Sequence, residues 1–332
     1  MSQPSGRLRR FVAVATSRPA RVAVTVALLA LVASSIDWSA FEDQLASGAW
    51  GWFVLAIALT VIALLIGALR WHLLLRGAAL PVGLIQSLRA YGIGAFANNL
   101  LPTGFGGDAV RAWIVGRSGK PLARSMTSVL VDRVTALGCL IPLSWLGVAV
   151  ASDPVPGPLL AALALVTAAL LGGAAIGALA LRSRHLERVL PGSLQPWAGE
   201  VGGVIRAYER DRELLLGTLT LGLIFQALII ASVWFAAKSV HIGLDLAEIA
   251  IVVPVVLVAT VLPISIAGFG VREGTYVALL AEFGISATEA TLLSLLTVAA
   301  MAIATLPGGL AVMVSGGRAA IEPPASDGVP SR

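Results

Sequence analysis

One cysteine, Cys139, and three histidines, His72, His185 and His241, are all the thiol and imidazole in this 332-residue sequence. A lone thiol closes no intramolecular bridge, and no two of these side chains stand at metal-ligand spacing. Charge is scarce too: 12% of residues are Asp, Glu, Lys or Arg, where soluble domains carry roughly 25%. No nucleophile elbow, P-loop or dinucleotide fingerprint occurs, and the glycine-rich turns that do occur follow helix-like runs rather than strands. Nucleotide chemistry is therefore excluded, and neither a cofactor nor a metal is expected.

What is abundant is hydrocarbon: 58% of residues are hydrophobic. Uncharged stretches run from Trp50 to Leu69, Val134 to Ser152, Pro154 to Leu181, Leu214 to Ala237, Ile249 to Val271 and Ala290 to Gly317. Each is near or above the ~20 residues that cross a bilayer as a helix. Val22 to Ile36 is shorter and reaches that length with its flanks. A cleaved secretory signal is the alternative for this segment, because Arg7, Arg9, Arg10, Arg18 and Arg21 precede it and Ala33-Ser34-Ser35 follow. The further spans make an uncleaved anchor the more natural reading. The expected fold class is an all-α integral membrane protein, a polytopic bundle of about six full spans plus two Pro/Gly-broken re-entrant segments.

The net charge of +5 does not read as a nucleic-acid footprint, because the charges follow the spans. With residues 1–19 as a basic cytoplasmic N-terminus, all but three of the 23 Lys and Arg fall on the inner side. Lys238 is outside, and Arg133 and Arg272 are intramembrane. The predicted outer loops hold Asp37, Glu42, Asp43, Asp153, Asp245, Glu248, Glu282 and Glu289. That asymmetry puts both termini in the cytoplasm and makes the anionic bilayer surface the partner of the basic excess. Trp38, Trp50, Trp52, Trp71, Trp197 and Trp234 are predicted at the interfaces, as an aromatic belt.

One pattern occurs twice. Asn98-Asn99-Leu100-Leu101-Pro102-Thr103-Gly104-Phe105-Gly106-Gly107-Asp108 leads to Arg111, and Val261-Leu262-Pro263-Ile264-Ser265-Ile266-Ala267-Gly268-Phe269-Gly270-Val271 leads to Arg272-Glu273. Each copy breaks an apolar run at a proline, Pro102 or Pro263, and adds a Gly-Phe-Gly turn. The copies belong to a longer duplication, with halves at about 50–152 and 213–314 inside one transmembrane domain, 20–315. Because the topology sets the halves antiparallel, an inverted repeat is expected, a recurring transporter plan. The linker, 182–213, contains Val201, Val204, Ile205 and Tyr208 at helical spacing and reads as a short helix on the cytoplasmic interface. Residues 316–332 read as a disordered cytoplasmic tail.

A helix broken inside hydrocarbon must find partners for its freed backbone groups in protein or in a wet cavity. New short helices can start at Asp108 and Arg272 with N–H groups suited to phosphate or carboxylate. Gly104, Gly106, Gly107, Gly268 and Gly270 allow close approach of backbone to a ligand. Six charges are predicted at membrane depth: Asp108, Arg111, Asp132, Arg133, Arg272 and Glu273. Each costs about 2.5–3.5 kcal/mol at a helix centre. The expected pairs across the repeat are Asp132 with Arg272 and Arg133 with Glu273, serving either a structural ion cluster or substrate and proton coupling. Asn98 and Asn99 either bind the headgroup or cap loose carbonyls.

These residues resemble the membrane, flippase-like portion of the lysylphosphatidylglycerol synthases. The resemblance rests on Asn98-Asn99-Leu100-Leu101-Pro102 with Gly106-Gly107-Asp108 and Arg111, on Ser125 to Val131 followed by Asp132-Arg133, and on Pro263 with Gly268-Phe269-Gly270-Val271-Arg272-Glu273. It implies a bacterial inner-membrane protein that moves lipids, such as aminoacylated phosphatidylglycerol, between leaflets. In bifunctional members a cytosolic domain performs aminoacyl transfer, and no such domain is read here. Members often carry Glu where Asp108 and Asp132 stand.

The expected function is movement of an anionic, aminoacylated or isoprenoid lipid, with no enzymatic activity. Asn98, Asn99, the five turn glycines and the six buried charges form the substrate site. Two alternatives stand beside it: an intramembrane lipid-modifying transferase, for which only carboxylates could act as base, and a non-transporting partner of a lipid-modifying enzyme.

Overall fold

The computed structural model describes residues 18–101, 106–117, 121–182, 195–261 and 265–314. Among these residues every regular element is a helix. In apolar runs this follows from backbone chemistry: a helix satisfies its own N–H and C=O groups where no water can. The chain enters with α1 (Arg18–Ser34) and α2 (Trp38–Ala46), bent by 80° between them. The Asp37 side chain accepts from the Ser39 and Ala40 amides and so caps α2. The Ser39 hydroxyl and these amides hold the Asp37 carboxyl below its ordinary range.

Two similar sets of four helices follow. The first is α3 (Trp50–Gly77), α4 (Leu84–Leu100), α5 (Gly106–Gly116) and α6 (Leu122–Val150). Then come α7 (Gly157–Arg182) and α8 (Gln195–Arg210). The second set is α9 (Arg212–Ser239), α10 (Leu246–Val261), α11 (Val271–Leu280) and, after a 3-10 turn at Ala281–Phe283, α12 (Ala287–Val314). The first set measures 28, 17, 11 and 29 residues. The second measures 28, 16, 10 and 28. Each set thus interrupts one segment between two long helices, where the sequence predicts the breaks.

Among the described residues five helices, or six with the bent α1–α2 pair taken as one, are long and apolar enough to cross a membrane. The predicted breaker Pro102, its neighbour Gly104, and Pro263 lie outside the described residues. Pro142, Pro254 and Pro307 lie inside α6, α10 and α12, which run on through them.

The two sets interlock. Helices α3 and α9 run antiparallel along each other: the Ala49 amide donates to the Ser239 carbonyl at 2.8 Å, and Thr60 meets Ser232 at 2.7 Å between hydroxyls. Helix α4 packs on α12 as α10 packs on α6, and α3 packs on α12 as α9 packs on α6. The Tyr208 hydroxyl pins α8 by donating to the Leu74 carbonyl of α3 at 2.7 Å. Val201 and Val204 are buried with it, while Arg206 and Arg210 are exposed. Burial raises the Tyr208 phenol above its ordinary range. The apolar stripe of α8 is therefore covered by protein.

Trp71 departs from the predicted belt. It is fully buried, and its indole N–H donates to the Ser128 hydroxyl at 3.1 Å. Trp38, Trp50 and Trp52 are exposed as expected, and the side chain of Trp197 lies outside what is described.

Candidate functional site

The first break folds α4 and α5 back on each other as a hairpin. The approach is so close that a Cβ on Gly107 would strike the Gly94 carbonyl, and one on Gly94 would stand 2.7 Å from the Gly107 carbonyl. The Asn98 side chain accepts from the Gly107 amide at 2.7 Å. Of the two predicted roles, Asn98 thus takes backbone capping, of an N–H rather than a carbonyl. Asn99 donates to the Thr305 hydroxyl at 2.6 Å, tying the hairpin to α12. Gly106 opens α5 and is half-buried; its turn neighbour Gly104 is not described.

Around this hairpin the charges form one chain. Arg70 Nε lies 2.8 Å from Asp132 Oδ1, and Arg111 Nη2 lies 2.9 Å from Asp132 Oδ2. Arg111 also reaches Asp108 Oδ1 at 3.1 Å, and Arg133 Nε meets Asp108 Oδ2 at 2.7 Å. The order is Arg70, Asp132, Arg111, Asp108, Arg133: three cations on two anions. Aromatic faces take up the surplus, with Arg111 4.9 Å from the centroids of both Trp71 and Tyr91 and Arg70 5.3 Å from that of Phe225. Such contacts gain strength away from water. The first four side chains are buried, and Arg133, 39% exposed, forms the open end.

This geometry corrects the expected pairs. Asp132 does not bind Arg272, and Arg133 does not bind Glu273; both partners come from the first half. The sequence-based reading also missed Arg70, assigned to the cytoplasmic interface at the end of an uncharged run. Helix α3 continues to Gly77, which leaves Arg70 inside the bundle at 1% exposure. A carboxylate at membrane depth was the available signal, since the two oxygens of Asp132 can hold two guanidinium groups.

The second break is built differently. Gly268 and Gly270 take φ of +78° and +80°, a region that glycine enters at little cost. Helix α1 closes over the turn: Thr25 accepts from the Ile266 amide at 2.9 Å, and a Cβ on Gly270 would meet Leu28 Cβ at 2.5 Å. Glu273 is third in α11, as Asp108 is third in α5, yet it binds no arginine among the described residues. Its carboxylate accepts from the Gly270 amide at 2.6 Å and from the Ser294 hydroxyl at 3.2 Å. It caps the helix it sits on.

Arg272 meets no carboxylate among the described residues. It reaches the Ala267 carbonyl only at 3.5 Å and lies 5.9 Å from the Phe269 ring centroid. Arg272 borders a cavity of about 170 Å³, with Thr60, Asn99, Ser232, Tyr276 and Thr297 among the polar residues of the wall. The structure therefore divides the predicted site. Asp108, Arg111, Asp132, Arg133, Asn98 and Gly107 gather in the first half, while Arg272 and Asn99 border the second cavity.

Apolar spans, interrupted helices and charges buried between them define a polytopic helical membrane protein. The chain matches the family described as the lysylphosphatidylglycerol synthase TM region over residues 19–309. It belongs to that family. It is also similar to the UPF0104 membrane protein PH1989 of Pyrococcus horikoshii, at 33% identity over 84 residues. That match spans 24% of this chain and 25% of the relative.

Proposed function

We propose that the protein moves an anionic or aminoacylated phospholipid, or an isoprenoid lipid, between the leaflets of the bacterial inner membrane, with both termini in the cytoplasm. Membership of a lipid-linked membrane family supports a lipid substrate. The observation that carries transport is the pair of interlocked broken hairpins with charge in an apolar interior. Helices α3 and α9 are antiparallel and head sets of matching lengths with reciprocal contacts. A two-fold axis relating such a pair lies across the helices, so the sets are inverted in the bilayer and their hairpins are re-entrant. Inverted repeats with broken helices place a site near mid-bilayer and let one side rock against the other.

Transport is favoured over catalysis because the carboxylates are committed. Asp108 and Asp132 hold guanidinium groups, and Glu273 holds the Gly270 amide. None of the three stands ready as a general base. The test is reconstitution into vesicles carrying tail-labelled phosphatidylglycerol, lysyl-phosphatidylglycerol or an isoprenoid phosphate, with the outer label quenched. Leaflet exchange of at least one lipid above protein-free vesicles, with lipid masses unchanged, is expected. Exchange at the protein-free rate for all three, or a new lipid mass, overturns the proposal.

A further inference from the structure

The duplication allows each wall of the cavity to be compared with its counterpart. An offset of 162 carries Trp50 to Arg212 and Leu84 to Leu246, and an offset of 165 carries Gly106 to Val271 and Leu122 to Ala287. Contacts obey these offsets: between α3 and α9, Gly222 against Arg70 answers Thr60 against Ser232. On the same register Arg70, Trp71 and Tyr91 correspond to Ser232, Val233 and Val253. Arg111, Asp132 and Arg133 correspond to Tyr276, Thr297 and Val298. All six counterparts line the cavity.

The ion chain and the cavity are thus the same place in the two halves. In the first, three arginines, an aspartate and two aromatic rings fill it. In the second, their replacements are mostly smaller, none is charged, and the space stays open. The one cation there, Arg272, stands where the first half has Gly107. It enters from the hairpin turn, without the carboxylates that neutralise the first-half arginines.

The threonine and serine hydroxyls around it are already donors. Thr60 and Ser232 share their two protons between the Ala56 carbonyl, at 2.9 and 2.8 Å, and each other, at 2.7 Å. Thr260 donates to Leu257 and Thr297 to Ser294, at 2.8 and 2.7 Å. With their protons engaged, these oxygens are left as acceptors. The wall therefore offers one cation and several acceptors. The volume of about 170 Å³ is many times the ~10–15 Å³ that holds one water, room for a tetrahedral oxyanion.

We infer that the second-half cavity is the headgroup site, and that the first-half ion chain is its filled, structural counterpart. It takes a phospholipid whose phosphate pairs with Arg272 and whose headgroup hydroxyl or ammonium donates to the threonine and serine oxygens. This rests on the transport reading for the lipid source of the phosphate.

The test is native mass spectrometry of the full chain loaded with phosphatidylglycerol or phosphatidylcholine, run beside the vesicle assay. Phosphatidylglycerol, which has headgroup hydroxyls, is expected to be retained over phosphatidylcholine, which has none. Arg272→Ala should reduce retention about tenfold or more, as loss of a charge-assisted bond does, and Arg272→Lys should keep most of it. Val298→Phe, which fills the cavity and leaves residue 272 as arginine, should reduce retention alongside. Undiminished retention in folded Arg272→Ala and Val298→Phe overturns the site, as does displacement of the lipid by equimolar inorganic phosphate. Binding lost in these variants while wild type shows no leaflet exchange would overturn transport and leave the site standing. Wild-type exchange with both variants unimpaired in retention does the reverse.

Discussion

The space enclosed by α3, α5 and α6 and the space enclosed by α9, α11 and α12 share one backbone plan, but the first is packed with ion pairs and the second is hollow. The acid third in the short helix shows how they diverged. Asp108 reaches outward to Arg111 and Arg133, whereas Glu273 turns back to the Gly270 amide. One added methylene lets Glu273 close its own helix end. A duplicated scaffold can therefore keep one copy rigid and leave the other free to take a ligand. Side-chain volume and charge, not helix geometry, set the difference.

Removal of Asp132 should break the comparison hardest. Asp132→Ala leaves Arg70 with no carboxylate and Arg111 with Asp108 alone in an apolar interior, and losing one partner of a buried pair costs about 3–5 kcal/mol. Denaturant unfolding in detergent should show this loss; a change below about 1 kcal/mol would mean that the cluster is hydrated and not structural. Gly270→Ala comes next, at about 1–3 kcal/mol, because it forces a Cβ into a left-handed φ and against Leu28. Wild-type stability of that variant would show that α1 does not close the second turn.

Glu273→Gln keeps an acceptor for the Gly270 amide but removes the charge, so a loss of about 1 kcal/mol is expected by the same measurement. A loss as large as that of Asp132→Ala would show that Glu273 neutralises a cation after all. Arg133→Ala should matter least for stability, at most about 1 kcal/mol, because the side chain is 39% exposed. A much larger loss would place Arg133 inside the locked chain rather than at its open end.

Much of the fold was legible from the sequence. Uncharged runs marked the long helices, and the repeated Asn-Asn-Leu-Leu-Pro and Val-Leu-Pro passages marked both interruptions. The amphipathic stretch at Val201, Val204 and Tyr208 marked α8. The candidate site was half legible: its charged residues other than Arg70 were found, but their partners were not. Arg70 was hidden because an arginine after an apolar run looks like a span end, and only the extra turns of α3 to Gly77 carry it inside. Trp71 was hidden for the same reason. Pairing by formal charge led to Asp132 with Arg272, whereas the geometry favoured Arg70 and Arg111 on adjoining helices.

Composition and pattern alone determined that this chain lives in a bilayer, where it crosses, and where its helices break, since those follow from transfer energies and backbone hydrogen bonding along contiguous residues. Tertiary structure alone decided which guanidinium meets which carboxylate and which half stays hollow. Those outcomes depend on side chains 62 residues apart for Arg70 and Asp132 and 172 apart for Thr60 and Ser232. Only the packing of the helices brings them within a bond length's tolerance of one another.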